Sequence, residues 1–194
     1  NCNFNDIGRY SVYTDNVNNM KVTNCDFYNL GNSGVTLRGG KLETLESGNN
    51  EVSNCTFNKF SQFRRTYAPA VSVSGVGAVV KNNVMHNSPH EAIAFDGNEH
   101  KILYNEIYDV CLETYDCAAI YGGRNLYKRG VEIAYNYIHN VRNEYFPKST
   151  AIKGIYFDDR LSGGHIHNNV IKDVGGGIFV HGGQDMDIKE NIVI

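Results

Sequence analysis

Val52-Ser53-Asn54-Cys55-Thr56-Phe57 decides the fold, because its pattern returns along the whole chain. It reads as a β-branched or aliphatic residue, two mostly polar residues, Cys or Asn, any residue, then an apolar one. The run opens on Asn1-Cys2-Asn3-Phe4 and continues through Val22-Thr23-Asn24-Cys25-Asp26-Phe27, Val80-Lys81-Asn82-Asn83-Val84-Met85 and Ile102-Leu103-Tyr104-Asn105-Glu106-Ile107. It ends with Ile133-Ala134-Tyr135-Asn136-Tyr137-Ile138, Ile166-His167-Asn168-Asn169-Val170-Ile171 and Ile188-Lys189-Glu190-Asn191-Ile192-Val193. The Cys/Asn slot falls at 2, 25, 55, 83, 105, 136, 169 and 191, giving steps of 23, 30, 28, 22, 31, 33 and 22. The floor of about 22 residues is one coil of a β-solenoid, and the longer steps are that coil with an inserted loop.

A second run with period-2 alternation follows each motif. Its predicted inward positions are Val35/Leu37, Val71/Val73, Ile93/Phe95, Ala119/Tyr121, Ile155/Phe157 and Ile178/Val180. One coil cannot bury its apolar side alone. Stacking like on like buries a continuous core and pairs each strand's backbone with the coils above and below. Parallel crossovers of this kind are right-handed. The expected fold is therefore all-β, a right-handed parallel β-helix of about eight coils. At roughly 4.8 Å per coil it makes a rod about 40 Å long. A β-propeller needs repeats of about 40–45 residues, and the leucine-rich consensus is absent.

Composition agrees. Gly is 20 of 194 residues, Pro only 3 and Trp 0, with many Asn, the residues of tight turns. Net charge is −3 with no basic stripe, which argues against a nucleic-acid partner. No apolar run is long enough to cross a membrane. The chain begins without Met or a signal-peptide pattern, and both ends fall inside a repeat. Residues 1–194 read as a single β-helix domain cut from a longer chain inside coils at both ends.

Cys2, Cys25 and Cys55 share their slot with Asn83, Asn105, Asn136, Asn169 and Asn191, so they are expected as small buried thiols in an inward turn ladder. Stacked cysteines could also bridge, as could Cys111 and Cys117 across their loop. No CxxC pair occurs and no metal site is expected; His165 and His167 read as a solvated strand face.

Loop insertions fall before Ala70, Ala118 and Gly154, on the face of the second run. Loops on one side of a solenoid build its binding surface. Gly34, Ala70, Ala92, Ala118, Gly154 and Gly177 occupy the first position taken as outward, either as the floor of a groove or simply as a strand entrance. By parity His90 and Asp116 form one wall. Arg38, Ser74, Asp96, Gly122, Asp158 and His181 form the other. His90 would then neighbour Asp116, and Asp158 would neighbour His181, each at about 5 Å. A carboxylate beside an imidazole tunes a catalytic pKa, and it is equally a common salt bridge.

Glycoside hydrolysis needs two carboxyls, one giving a proton and one ionised. Glu91, Asp96, Glu113, Asp116, Asp158 and Asp159 are the candidates on this face. Tyr156 and Phe179, taken as exposed, could stack on sugar rings. Arg64, Arg65, Arg124 and Lys153 could hold an acidic or hydroxyl-rich substrate. A polysaccharide or oligosaccharide is the expected partner.

Four runs carry a resemblance: Pro89-His90-Glu91-Ala92-Ile93, Asp116-Cys117-Ala118-Ala119-Ile120-Tyr121-Gly122-Gly123-Arg124, Gly154-Ile155-Tyr156-Phe157-Asp158-Asp159 with Ser162-Gly163, and His181-Gly182-Gly183-Gln184-Asp185. In matching order they resemble bacterial secreted β-helix proteins of glycoside hydrolase family 141, which includes α-L-fucosidases and xylanases acting on plant cell-wall glycans. The resemblance implies a secreted, extracellular or periplasmic enzyme without a cofactor. It places the catalytic pair at Asp116 and Asp158. On the same face, His90, Glu91, Asp96, Arg124, Lys153, Tyr156, Asp159 and His181 are the residues expected to contact the substrate.

Strand geometry sets a tension with that pair. A straight strand would hold Asp116 and Asp158 roughly 20 Å apart, beyond the roughly 5–9.5 Å of known carboxyl pairs. Asp96, in the Asp158 column two coils away at roughly 10 Å, is the substitute. Asp159 is expected to face inward. Two other functions remain open: a polysaccharide lyase, with Lys153 or Arg124 as base and calcium on a uronate, or a carbohydrate-binding or adhesive rod without turnover.

Overall fold

The computed structural model describes all of residues 1–194. It contains no helix, and its strands form three parallel sheets that run the length of the molecule. One has eight strands and the other two have seven each. Consecutive strands go to different sheets, so every neighbour within a sheet comes from the next coil. This is the β-helix expected from the repeat.

The repeat itself is the corner between the third sheet and the first. In the central motif the strand Glu51–Ser53 belongs to the third sheet and Thr56–Asn58 to the first. Between them the residue before the slot takes a left-handed conformation in successive coils: Asn24, Asn54, Asn82, Tyr104, Tyr135, Asn168 and Glu190, with φ from 53° to 59°. The slot side chain then turns inward. Asn83, Asn105, Asn136 and Asn169 each donate Nδ2 to Oδ1 of the next Asn at 2.9–3.0 Å. Each Nδ2 also reaches a third-sheet carbonyl of the preceding coil, Asn105 to Val80 at 3.0 Å for one. Each Oδ1 takes the backbone N–H of the slot residue before it, even from Cys55 at 3.0 Å. All five cysteines are free thiols. Cys25 and Cys55 are buried in the slot as expected, bonding Thr23 and Ser53 carbonyls at 3.2 Å, whereas Cys2 is exposed at the end of the column.

The core is a set of columns. Phe4, Phe27 and Phe57 stack with ring centroids 4.7 and 4.5 Å apart, and Met85, Ile107, Ile138 and Ile171 continue that column. Val22, Val52, Val80, Ile102, Ile133 and Ile166 line the third sheet. Val35, Val71, Ile93, Ile120, Ile155 and Ile178 line the second.

That last column corrects the expected register. Ile93 pairs with Ile120 and Phe95 with Gly122, so the inward pair is Ile120/Gly122 and not Ala119/Tyr121. Gly122 hides the pattern because it lacks a side chain; a Cβ there would sit 2.3 Å from the Phe95 ring. The vacancy lets Phe95 meet Phe157, centroids 5.3 Å apart, across the intervening coil.

The small residues also face inward, with Ala119 in place of the expected Ala118, as a corner column of Gly34, Ala70, Ala92, Ala119, Gly154 and Gly177; Ala118 lies in the outward row with Lys153. Ala70, Ala92 and Ala119 are fully buried in the core. A Cβ on Gly34 would strike the Phe57 ring, and one on Gly154 would meet Ile171. They make room for the first sheet's side chains and are not a groove floor. Both this column and the next face in, so the alternation changes phase at the corner.

Candidate functional site

The outer face of the second sheet carries three rows, set by the register. The first runs through Ala118 and Lys153, the second through Ser72, Ala94, Tyr121, Tyr156 and Phe179, and the third through Ser74, Asp96, Gly123 and Asp158. Gly123, not Gly122, holds the place in the third row beside Asp158. Charged groups thus flank a central row that is small over the earlier coils and aromatic over the later ones. Three long loops, 59–70, 109–116 and 142–151, enter this sheet, as the insertions predicted.

Asp158 is the best-held charge on the face. Its Oδ2 accepts the Tyr121 hydroxyl at 2.9 Å. Its Oδ1 accepts the Asp159 N–H at 2.7 Å and lies 2.9 Å from His181 Nδ1. Burial pushes this carboxyl up, but bonds from His181, Tyr121, the Asp159 amide and the nearby Tyr156 hydroxyl outweigh it and hold Asp158 below the usual carboxylate range. Burial, and then the Asp158 carboxylate, raise both tyrosine hydroxyls, so Tyr121 and Tyr156 remain donors. The expected Asp158–His181 neighbours are therefore in contact.

His90 and Asp116 are not brought together. His90 is buried, with Nδ1 2.7 Å from Glu91 Oε2, and the Tyr67 ring leans on it. Asp116 sits in a left-handed turn with its side chain 71% exposed and bonds Lys153 Nζ at 3.2 Å. The Lys153 ammonium lies 4.5 Å from the Tyr156 ring centroid and 4.9 Å from that of Phe179, a cation–π arrangement. Asp116 and Lys153 thus stand on one flank of the aromatic row and Asp158 on the other, with Tyr156 between them. Tyr156 is not an exposed platform, because only 3% of it is accessible beneath Lys153 and its aromatic neighbours; Phe179, at 40%, is the exposed ring. Asp159 does not face inward. The chain turns at Asp158, and Asp159 is exposed with a left-handed φ and an ion pair to Arg124 at 3.2 Å.

Beside this patch, over the Ile93–Asn98 strand, opens a cleft of about 610 Å³. Tyr121 and Gly123 form its border with the patch. Glu91, Asp96, Arg124, Arg38 and Lys128 supply its polar lining. Asp96 is ion-paired with Lys128. Two groups at the cleft escaped the sequence reading. Lys128 arrives on a distant loop, and His100 supports Asp96 from behind, with its Nε2 3.1 Å from the Asp96 carbonyl. Arg65 pairs with Glu113 at 2.9 Å.

Asp158, Asp159 and His181 present ligand atoms within 4.8 Å of one another, a spacing that a cation could use. The donors already on both Asp158 oxygens would have to be displaced first.

No curated protein matches the sequence. A solved structure named "Glycoside hydrolase" superposes on 84% of this chain with a TM-score of 0.56 at 13% identity. The chain spans 37% of that structure's length, and at this identity the likeness is one of fold. The sequence pattern of the family described as "Right handed beta helix region" matches residues 43–194, and the chain belongs to that family.

Proposed function

We propose that the outer face of the second sheet hydrolyses glycosidic bonds of a plant cell-wall or related polysaccharide. The observation that carries this reading is Asp158: a largely buried carboxylate, kept ionised by the Tyr121 hydroxyl, the His181 ring and a backbone amide, beside an open cleft. An ionised carboxylate held in place by hydrogen-bond donors is what a base or nucleophile at an anomeric carbon requires. Asp116 is its companion on the other flank of the aromatic row, where Lys153 holds it. Phe179 and Tyr121 offer apolar surface to sugar rings, and Arg124, Asp96 and His181 offer hydrogen bonds at the rim. The likeness to a structure named a glycoside hydrolase agrees with this reading through fold alone.

A lyase has less support. Lys153 is bound to Asp116 and covers two aromatic rings, and Arg124 is bound to Asp159, so neither offers a free base. Incubation with a panel of plant polysaccharides, scoring new reducing ends beside new ultraviolet absorbance, decides the point. Reducing ends without absorbance, lost in Asp158→Asn, are expected. Absorbance would select the lyase, and binding without either signal would select a non-catalytic rod.

A further inference from the structure

Tyr115 immediately precedes Asp116, and its ring meets that of Phe146, with centroids 5.2 Å apart and planes tilted by 50°. The two rings come from different loops, 109–116 and 142–151. Those loops enter the paired strands Cys117–Gly123 and Ile152–Asp158 at the ends away from Asp158. Both rings are open to solvent, Tyr115 at 48% and Phe146 at 56%. Burying such rings is favourable, so a free loop folds them away.

These loops are fastened with the rings out. Asn143 is buried, and its Oδ1 accepts the N–H groups of both Tyr145 and Phe146, at 2.9 and 3.1 Å. Its Nδ2 donates to the Thr114 carbonyl at 3.1 Å, the residue before Tyr115. One side chain therefore sets the backbone behind both rings. The Glu144 N–H adds a second tie, to the Leu112 carbonyl at 2.7 Å. Thr114 Oγ1 moors the first loop to the Pro89 carbonyl of the preceding coil at 2.8 Å. A rigid ring pair loses little freedom on binding, which favours a ligand that covers it.

We infer that Tyr115 and Phe146 form a stacking platform for a pyranose of the glycan, beyond Asp116 on the side away from Asp158. Asn143 is the residue that positions them. The inference rests on the hydrolytic reading for the kind of ligand. The electron-rich face of an aromatic ring attracts the C–H bonds on one face of a sugar ring. The platform is continuous with the proposed site, because Asp116 bonds Lys153 at 3.2 Å and Lys153 lies over Tyr156 and Phe179. A glycan crossing that aromatic row meets the platform next.

The test runs the protein through native gels cast with xylan, xyloglucan or polygalacturonate and follows cleavage of the same polymers. The unaltered protein should be retarded by at least one of them. Tyr115→Ala with Phe146→Ala should weaken that retardation and raise the polymer KM about tenfold, with kcat at saturation changed by less than about twofold. Asn143→Ala keeps both rings but unties the loops, and should show the same split at a smaller size. An unmoved KM there would strike Asn143 from the assignment. Tyr104→Ala removes an exposed ring at the ladder corner and should change neither readout. If the double variant melts early, Phe146→Ser alone should raise KM about threefold. Equal retardation of the double variant, or none of the unaltered protein in any gel, would overturn the platform. So would a concentration-dependent dimer that the double variant abolishes, since the rings would then belong to a second copy. Retardation without cleavage would sink the hydrolytic reading and leave the platform in place.

Discussion

The Asn ladder and the Asp158 patch are both made by stacking side chains from successive coils, and they serve opposite ends. In the ladder each position repeats the same group. Every Asn gives and receives within the column, so nothing is left to bind a ligand. On the second sheet the rows change residue from coil to coil: Asp96, Gly123, Asp158 in one and Ala94, Tyr121, Tyr156, Phe179 in another. A column of unlike groups leaves charge and ring surface facing outward. Uniform columns build the rod, and broken ones give it chemistry.

The sharpest way to break the comparison is to substitute one member of each. Asp158→Asn should lower glycan cleavage by about 10³-fold, roughly 4 kcal/mol of barrier, with the melting temperature little moved. Paired kinetics and melting curves check this, and a collapse of the fold with activity would erase the distinction. Asn105→Ala should do the reverse. It strips partners from Asn83, Asn136 and the Val80 carbonyl, at a cost of about 3 kcal/mol of stability, read from the urea midpoint.

His100, packed behind the Asp96 row of the second sheet, makes stability depend on pH. It accepts the Ala78 N–H on Nδ1 at 3.1 Å, so Nε2 carries the hydrogen toward the Asp96 carbonyl. Burial drives its pKa from the ordinary 6.5 to about 4, against the smaller pull of that carbonyl. The folded state therefore binds this proton later than the unfolded one. Stability is full above about 6.5 and falls as pH drops toward about 4, by about 3 kcal/mol in total. Asp158, held below 3.8, loses its contribution only at still lower pH. Denaturation midpoints at several pH values should show the first loss, and His100→Asn should flatten it.

Least of all, Arg65→Ala removes an ion pair at the surface with Glu113 and should change stability by less than about 1 kcal/mol and leave activity alone.

Particular residues show how far the sequence could be read. The slot from Cys25 to Asn191 was legible because Cys or Asn recurs at one place in every coil. The contact of Asp158 with His181 was legible for the same reason: 23 residues separate them, close to one bare coil. Tyr121 was misread because Gly122, inward and without a side chain, breaks the apolar alternation. His90 was misread because the corner shifts the phase of the strand, turning small residues inward and burying His90 against Glu91. Asp159 was misread because strand alternation ends at a left-handed turn.

By itself the sequence determined the parallel solenoid, its ladder of inward Asn and Cys, and the sheet onto which the long loops open. Those follow from local pattern and coil length, which every repeat restates. Only the tertiary structure decided that Asp116 pairs with Lys153, that Tyr156 lies covered, and that Glu91 is buried against His90 at the edge of a cleft. Such contacts depend on register across loops of unequal length, and a slip of one residue sends a side chain to the opposite face of its strand.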